Sequence, residues 1–215
     1  MVKNLIAAVI AVWVSCSAFG APARRSSATP SYSVLDLLVW GADLVIDASP
    51  YAPDVKAEIE RHVQRWKTYQ SPRRRPANSP ELDMVYFAHV RYERRLIAIS
   101  DDPRAQSLAG AYVDSLRPCY EWEGFHDCPE REAMFATEYQ VANPGGPFRE
   151  YLPLLAAHRW LCTAEGYEYE KRPQDAARSR QAHEQGISTA RQSATVLVRR
   201  AAEELTTRGR CFAER

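Results

Sequence analysis

Apolar side chains recur every three or four positions along most of the chain, which is the period of an amphipathic α-helix. Over residues 53–69, for example, Val55, Ile59, Val63 and Trp66 share one face, and charged side chains occupy the other. Convincing alternation of apolar and polar positions, the pattern of a strand, is missing. The sequence therefore predicts an all-α fold of about six to eight helices, either a helical bundle or a short array of antiparallel helical hairpins.

Proline-rich breaks divide this pattern into segments. The predicted helices begin near residues 34, 53, 79, 103, 127, 148 and 174, and the last runs to about residue 207. Ser33 with Asp36, and Asp127 with Glu130, predict capping boxes at two of these starts. The arginine-rich segment 71–78 is flanked by prolines and is expected to be a loop.

Residues 1–20 have the layout of a secretory signal peptide. Lys3 precedes an uninterrupted apolar run over residues 5–14, and a short stretch of small and polar residues follows. The run is shorter than the about twenty apolar residues that span a bilayer. We therefore expect export, with cleavage after Gly20 or Ala23.

After cleavage, the sequence predicts a flexible tether over 21–32 and a single helical domain over 33–215 without a transmembrane helix. We expect this mature chain in the periplasm or outside the cell. Cys16 offers an alternative, because a cysteine just after the apolar run resembles a bacterial lipoprotein box and implies a lipid anchor. The position three residues earlier, usually leucine in that box, is Trp13 here, which favours the first interpretation.

Four cysteines remain in the expected mature chain, and in an exported protein they predict disulfide cross-links. Proximity in the sequence favours Cys119 with Cys128 and Cys162 with Cys211, although other pairings remain open. The second bridge would close a long loop, for which chain entropy predicts about 4 kcal/mol of stabilisation. No two of the four have the close spacing of structural zinc ligands.

The net charge of the chain limits the classes of partner that the sequence favours. The chain carries 28 basic and 27 acidic residues, and loss of Lys3 with the signal peptide would balance them. A neutral chain has no general reason to bind nucleic acid. Motifs typical of common hydrolases, metalloproteases and nucleotide-binding enzymes are also missing, so the sequence favours neither an enzyme nor a cofactor.

The segment 119–128 is the richest in possible chemistry, since it holds Glu121, Glu123, His126 and Asp127 among aromatic residues. Carboxylates and an imidazole are able to bind a divalent cation or to act as general acid and base. Asp127 has a second interpretation as a helix cap, and a structural or partner-contacting loop is the favoured interpretation of the whole segment.

Two further histidines, His89 and His158, fall on apolar helical stripes and are predicted to be core residues. A functional role would require the fold to bring them together with an acid such as Glu93. Neither is otherwise assigned a site.

Tyr139, Pro144 and the Pro147-Phe148 pair before a Leu/Ala-rich helix resemble the junction between tetratricopeptide-like repeats. A weak echo links residues 88–92 to residues 157–160, about two such repeat periods apart. The resemblance implies antiparallel helical hairpins and a scaffold that binds proteins.

We therefore expect an exported, non-catalytic helical module that binds another envelope or extracellular protein. One alternative is a metal-binding protein or enzyme that uses the segment 119–128. Another is a surface protein anchored in the membrane through Cys16. The oligomeric state and the identity of the partner stay open.

Overall fold

A computed structural model describes residues 32–41, 46–76, 80–116 and 124–212. Eight α-helices lie in these ranges, and none of the described residues belongs to a β-strand. Tyr32 and Ile46 form an isolated parallel β-bridge. The all-α prediction is confirmed. The helices are α1 (Val34–Trp40), α2 (Pro53–Thr68), α3 (Pro80–Ile99), α4 (Ala105–Ser115), α5 (Asp127–Ala142), α6 (Leu152–Tyr169), α7 (Pro173–Ala190) and α8 (Val196–Arg208).

The first helix is capped as its sequence predicts, because Ser33 and Asp36 form a reciprocal capping box. It is shorter than its apolar run, since it ends at Trp40. Gly41 follows with φ +114°, and any side chain there would collide with the Trp66 ring. Only glycine adopts this backbone without strain and leaves room for the indole.

The predicted cap of α5 is wrong. Asp127 is the first residue of that helix, and its N-cap, His126, makes no side-chain capping bond. Asp127 and Glu130 instead place negative charge in the first turn, where it interacts favourably with the helix dipole.

The single long helix predicted over 174–207 is also wrong, because the structure divides it into α7 and α8. Glu150, from the turn before α6, causes the break. Its Oε2 accepts hydrogen bonds from the Ser193 hydroxyl at 2.8 Å and from the Ala194 amide at 2.7 Å. An amide bound to a distant carboxylate is not available to continue a helical ladder.

The core surrounds two helices that are buried on nearly all sides. α6 packs against both α5 and α7, and Gly186 brings α7 so close to α6 that an added Cβ would lie 2.9 Å from the Cβ of Ala157. α1 packs against α8 and α3. Its apolar side chains other than Trp40 are buried, and its Asp36 pairs with Arg208 at 2.8 Å.

A disulfide joins Cys162 in α6 to Cys211 after α8, as the sequence predicts. Cys128 is also disulfide-bonded, but Cys119 lies outside the described residues, so its pairing with Cys128 stays a prediction. The bond to Cys211 fixes the end of the described chain beside the middle of α6.

The described residues from Tyr32 onwards belong to one compact unit. Of the helices assigned in the described ranges, none has both the length and the apolar character needed to cross a membrane. The predicted signal peptide, Cys16 and nearly all of the tether lie outside these ranges.

Candidate functional site

A cavity of about 470 Å³ opens between α3, α5 and α6, next to the end of α1. This volume is in the usual range for sites that bind small ligands. We call it the arginine cavity; the side chains used below to describe it are Trp40, Met84, Phe87, Arg91, Tyr92, Arg95, Glu132 and Arg159.

Helical spacing explains why α3 contributes so many of these side chains. Arg91 and Arg95 are one turn apart and therefore lie on one face, with Tyr92 beside them. Glu132 comes from α5 and Arg159 from α6, so the charged groups meet only when the three helices pack.

Glu132 is the centre of a buried ion pair. Its Oε2 lies 2.5 Å from Nε of Arg159, and its Oε1 accepts a hydrogen bond from the Tyr92 hydroxyl. Burial opposes ionisation, but Arg159 and the Tyr92 hydroxyl outweigh it, so the pKa of Glu132 lies below its ordinary value. At neutral pH the Glu132 carboxylate is therefore ionised, and each of its oxygens accepts a hydrogen bond.

Arg159 connects this pair to the C-terminal disulfide. Its Nη1 donates to Nδ1 of His158 at 2.8 Å, and its guanidinium lies 4.8 Å from the centre of the Trp40 ring. Because Nδ1 accepts, Nε2 of His158 carries the proton and donates to the Cys211 carbonyl at 2.9 Å. Burial and the charge of Arg159 lower the pKa of His158 well below 6.5, so the imidazole is neutral.

Arg95 differs from Arg159 because it has no acid partner among the hydrogen bonds and ion pairs of the described residues. Only 4% of it is exposed. Its guanidinium lies 4.7 Å from the centre of the Tyr92 ring and bonds to the Tyr151 side chain. Two of its nitrogens, Nε and Nη1, are buried and have no acceptor. A buried, incompletely paired charge is costly to a fold.

The predicted metal or acid–base segment is only partly described, because Glu121 and Glu123 lie outside the described residues. His126 is docked on α6: its Nδ1 lies 2.5 Å from Oε1 of Glu170, and its ring stacks on Tyr167 at 4.1 Å. Asp127 is exposed at the start of α5. The contacts of His126 are those of a loop anchored to a helix, and the metal site stays a prediction.

One described group of His, Cys and acidic side chains is close enough to share a metal ion, namely His158, Cys162 and Cys211. Both sulfurs form the disulfide, and a disulfide supplies no thiolate ligand. The histidine is engaged through both nitrogens. Cross-linking of the tail therefore accounts for this group.

The two histidines on apolar stripes have different surroundings. His158 is fully buried, as predicted, and packs edge-on against Trp40. His89 is only partly buried, and the charges that act on it belong to Arg73, Asp114 and Glu93. The pattern of stripes did not distinguish these two environments.

Sequence reasoning missed the arginine cavity, although one signal was present. Arg159 is the only charged residue in the otherwise apolar run over 152–162. A charge inside a helix that is apolar on all sides must have a partner in the core. That partner, Glu132, is 27 residues earlier, and the spacing of α5 alone does not reveal it.

Comparison of the chain with protein-family models, with curated proteins and with solved structures finds no match.

Proposed function

We propose that this chain is an exported, non-catalytic helical module that binds another protein, and that its contact face is centred on the mouth of the arginine cavity. The layout of residues 1–20 supports export. The chemistry and exposure of the cavity support binding at this face.

One observation carries the proposal: large apolar side chains are exposed beside arginines at the mouth of a cavity. Met84 is 51% exposed and Phe87 is 53% exposed, and both line the cavity with Arg91. Aromatic, methionine and arginine side chains are enriched at protein interfaces, and a contiguous exposed apolar patch is typical of an interaction site. A partner that presents an apolar segment with an acidic group would complement this face.

The side chains of the cavity also favour binding over catalysis. Arginine stays protonated and is a poor proton carrier. Glu132 is ionised and bonded at both oxygens, and the neutral imidazole of His158 is enclosed behind Arg159. General acid–base catalysis needs a group that is free to exchange a proton with substrate, and these groups are engaged with one another.

Site-specific photo-crosslinking in the cells that make the protein tests the contact face. A photoreactive residue at Phe87 should give a discrete adduct with one partner. Val141 is a matched control, because it is also apolar, is 78% exposed and does not line the cavity. Equal labelling at both positions, or no adduct at Phe87 in folded protein, would contradict the proposal.

The N-terminus of the protein recovered from the cell envelope or medium tests export. A chain that begins at Ala21 or Arg24 supports cleavage of a signal peptide. A lipid-modified chain that begins at Cys16 supports the membrane-anchored alternative, and an intact Met1 contradicts both.

A further inference from the structure

The least satisfied charge in the arginine cavity is Arg95. Glu132 already uses one oxygen for Arg159 and the other for Tyr92. Neither oxygen accepts a hydrogen bond from Arg95 in the described structure. Nε and Nη1 of Arg95 are buried and have no acceptor.

The charge of this buried group is unbalanced. Arg95 and Arg159 are each less than one-tenth exposed and carry two positive charges, against one negative charge on Glu132. Arg91 adds a further positive charge at the exposed mouth. A single anionic group would neutralise the buried excess, whereas a cation would add to it.

Apolar side chains surround the route to Arg95. Trp40, Met84 and Phe87 line the same cavity, and the side chains of Met84 and Phe87 are half exposed at its mouth. An anion bound at Arg95 would therefore have its remaining atoms against rings and a thioether. Such a lining favours a ligand in which the charge is joined directly to an apolar group.

We propose that the arginine cavity binds the carboxylate of an amphipathic ligand, with the carboxylate at Arg95 and the apolar part between Trp40, Met84 and Phe87. A free monocarboxylic acid and the C-terminal carboxylate of a partner protein share this chemistry. The inference takes its location from the proposed function, but it is tested on the isolated protein. Failure of the cellular cross-link and failure of carboxylate binding are therefore separate results.

Calorimetric titration of the purified, disulfide-bonded protein provides the direct test. Octanoate should bind, and octanamide, which has the same chain without the charge, should bind at least about tenfold more weakly because it loses a charge-assisted hydrogen bond. Acetate should also bind at least about tenfold more weakly than octanoate, because it lacks the apolar part.

Two substitutions locate the ligand. Arg95→Met keeps most of the side-chain length and should weaken octanoate binding at least about tenfold, whereas Arg178→Met on the exposed face of α7 should have no effect. Phe87→Ala should weaken binding by about threefold or more, with Val141→Ala as its control. If Arg95→Met does not fold, the exposed Phe87 variant and the octanamide comparison still decide the question.

A short peptide that ends in leucine distinguishes the two sources of the carboxylate. Tighter binding of the free-acid peptide than of octanoate, with loss on C-terminal amidation, identifies a protein terminus as the ligand. Tighter binding of octanoate identifies a free acid. The inference is wrong if octanamide binds as tightly as octanoate, if acetate matches octanoate, if Arg95→Met binds normally, or if neither acid nor peptide binds.

Discussion

Helix α3 carries two buried charged side chains, Glu93 and Arg95, and they differ in how completely their hydrogen-bonding groups are satisfied. Glu93 accepts hydrogen bonds from the Tyr69 hydroxyl at 3.1 Å, the Ser71 hydroxyl at 2.7 Å and Nε of Arg73 at 2.5 Å. Arg95, two residues later and therefore on a different side of the helix, has two nitrogens with no acceptor.

The comparison separates a charge that supports the fold from one that is available to a ligand. The network around Glu93 fixes the proline-flanked arginine segment, since Arg73 also pairs with Asp114 at 2.7 Å. The first arginine of this segment, Arg73, is therefore already neutralised. Two unsatisfied donors, Nε and Nη1 of Arg95, belong to a side chain that lines the arginine cavity on another side of α3.

Loss of the acid in the cavity should have the largest effect. Glu132→Gln leaves Arg159 buried without a counter-charge beside an already unpaired Arg95, so we expect a loss of about 4 kcal/mol in the free energy of unfolding. Urea denaturation measures it. Glu203→Gln, at an exposed ion pair, is the control and should change stability by less than about 0.5 kcal/mol. A loss as small as the control's would mean that the cavity is wetter than the geometry indicates.

Glu93→Gln should cost less, about 2 kcal/mol, because the amide oxygen still accepts from Tyr69 or Ser71 and Arg73 retains Asp114. The same denaturation experiment applies. Equal losses in the two glutamate variants would remove the distinction between a fully paired network and an incompletely paired one.

His62 on α2 extends the comparison, because it is buried without an acid partner and its ring nitrogens make no hydrogen bond of good geometry. Burial, with the nearby charge of Arg65, outweighs the opposing effect of the Ala98 backbone and lowers the pKa of His62 from 6.5 to about 3. The unfolded chain takes up this proton below pH 6.5 and the folded chain does not. Stability should therefore fall as the pH drops from 6.5 towards 3, by up to about 1.4 kcal/mol per pH unit from this residue.

The substitution His62→Leu should remove this contribution and flatten the acid limb of the stability profile. Denaturation midpoints from pH 7 to pH 4 in both proteins measure the difference. Because His158 is also buried and neutral, a shallower slope should remain. Parallel profiles for the two proteins would show that His62 does not control the response.

Arg95→Met should have the smallest effect on stability, less than about 1 kcal/mol, because the substitution removes an unsatisfied charge together with one hydrogen bond and one ring contact. Thermal unfolding without ligand measures this. A loss of stability as large as that of Glu132→Gln would indicate that Arg95 stabilises the core and is not an unsatisfied group available to a ligand.

Periodicity was sufficient to predict the fold class and most helix starts, because those depend on local patterns. The Ser33–Asp36 cap and the Cys162–Cys211 bond were also predicted correctly. The break between α7 and α8 was missed because Glu150, which causes it, comes from another part of the chain.

The candidate site was missed for a related reason. Local density of reactive residue types drew attention to the segment 119–128, whereas the arginine cavity combines side chains from four helices that are distant in the sequence. Arg95 and Arg159 lie on different helices, and only the tertiary structure shows that Glu132 forms its ion pair with Arg159. An unsatisfied donor is a property of three-dimensional surroundings and has no signature in a linear pattern.

The packing of α1 against α8 has a consequence for the order of events during folding. The Leu35 amide donates to Oε2 of Glu204, a partner 169 residues later, and Asp36 pairs with Arg208. The surface of α1 that faces α8 is therefore covered only when both ends of the described chain have come together. Contacts between such distant parts of a sequence slow folding and leave apolar surface exposed until they form.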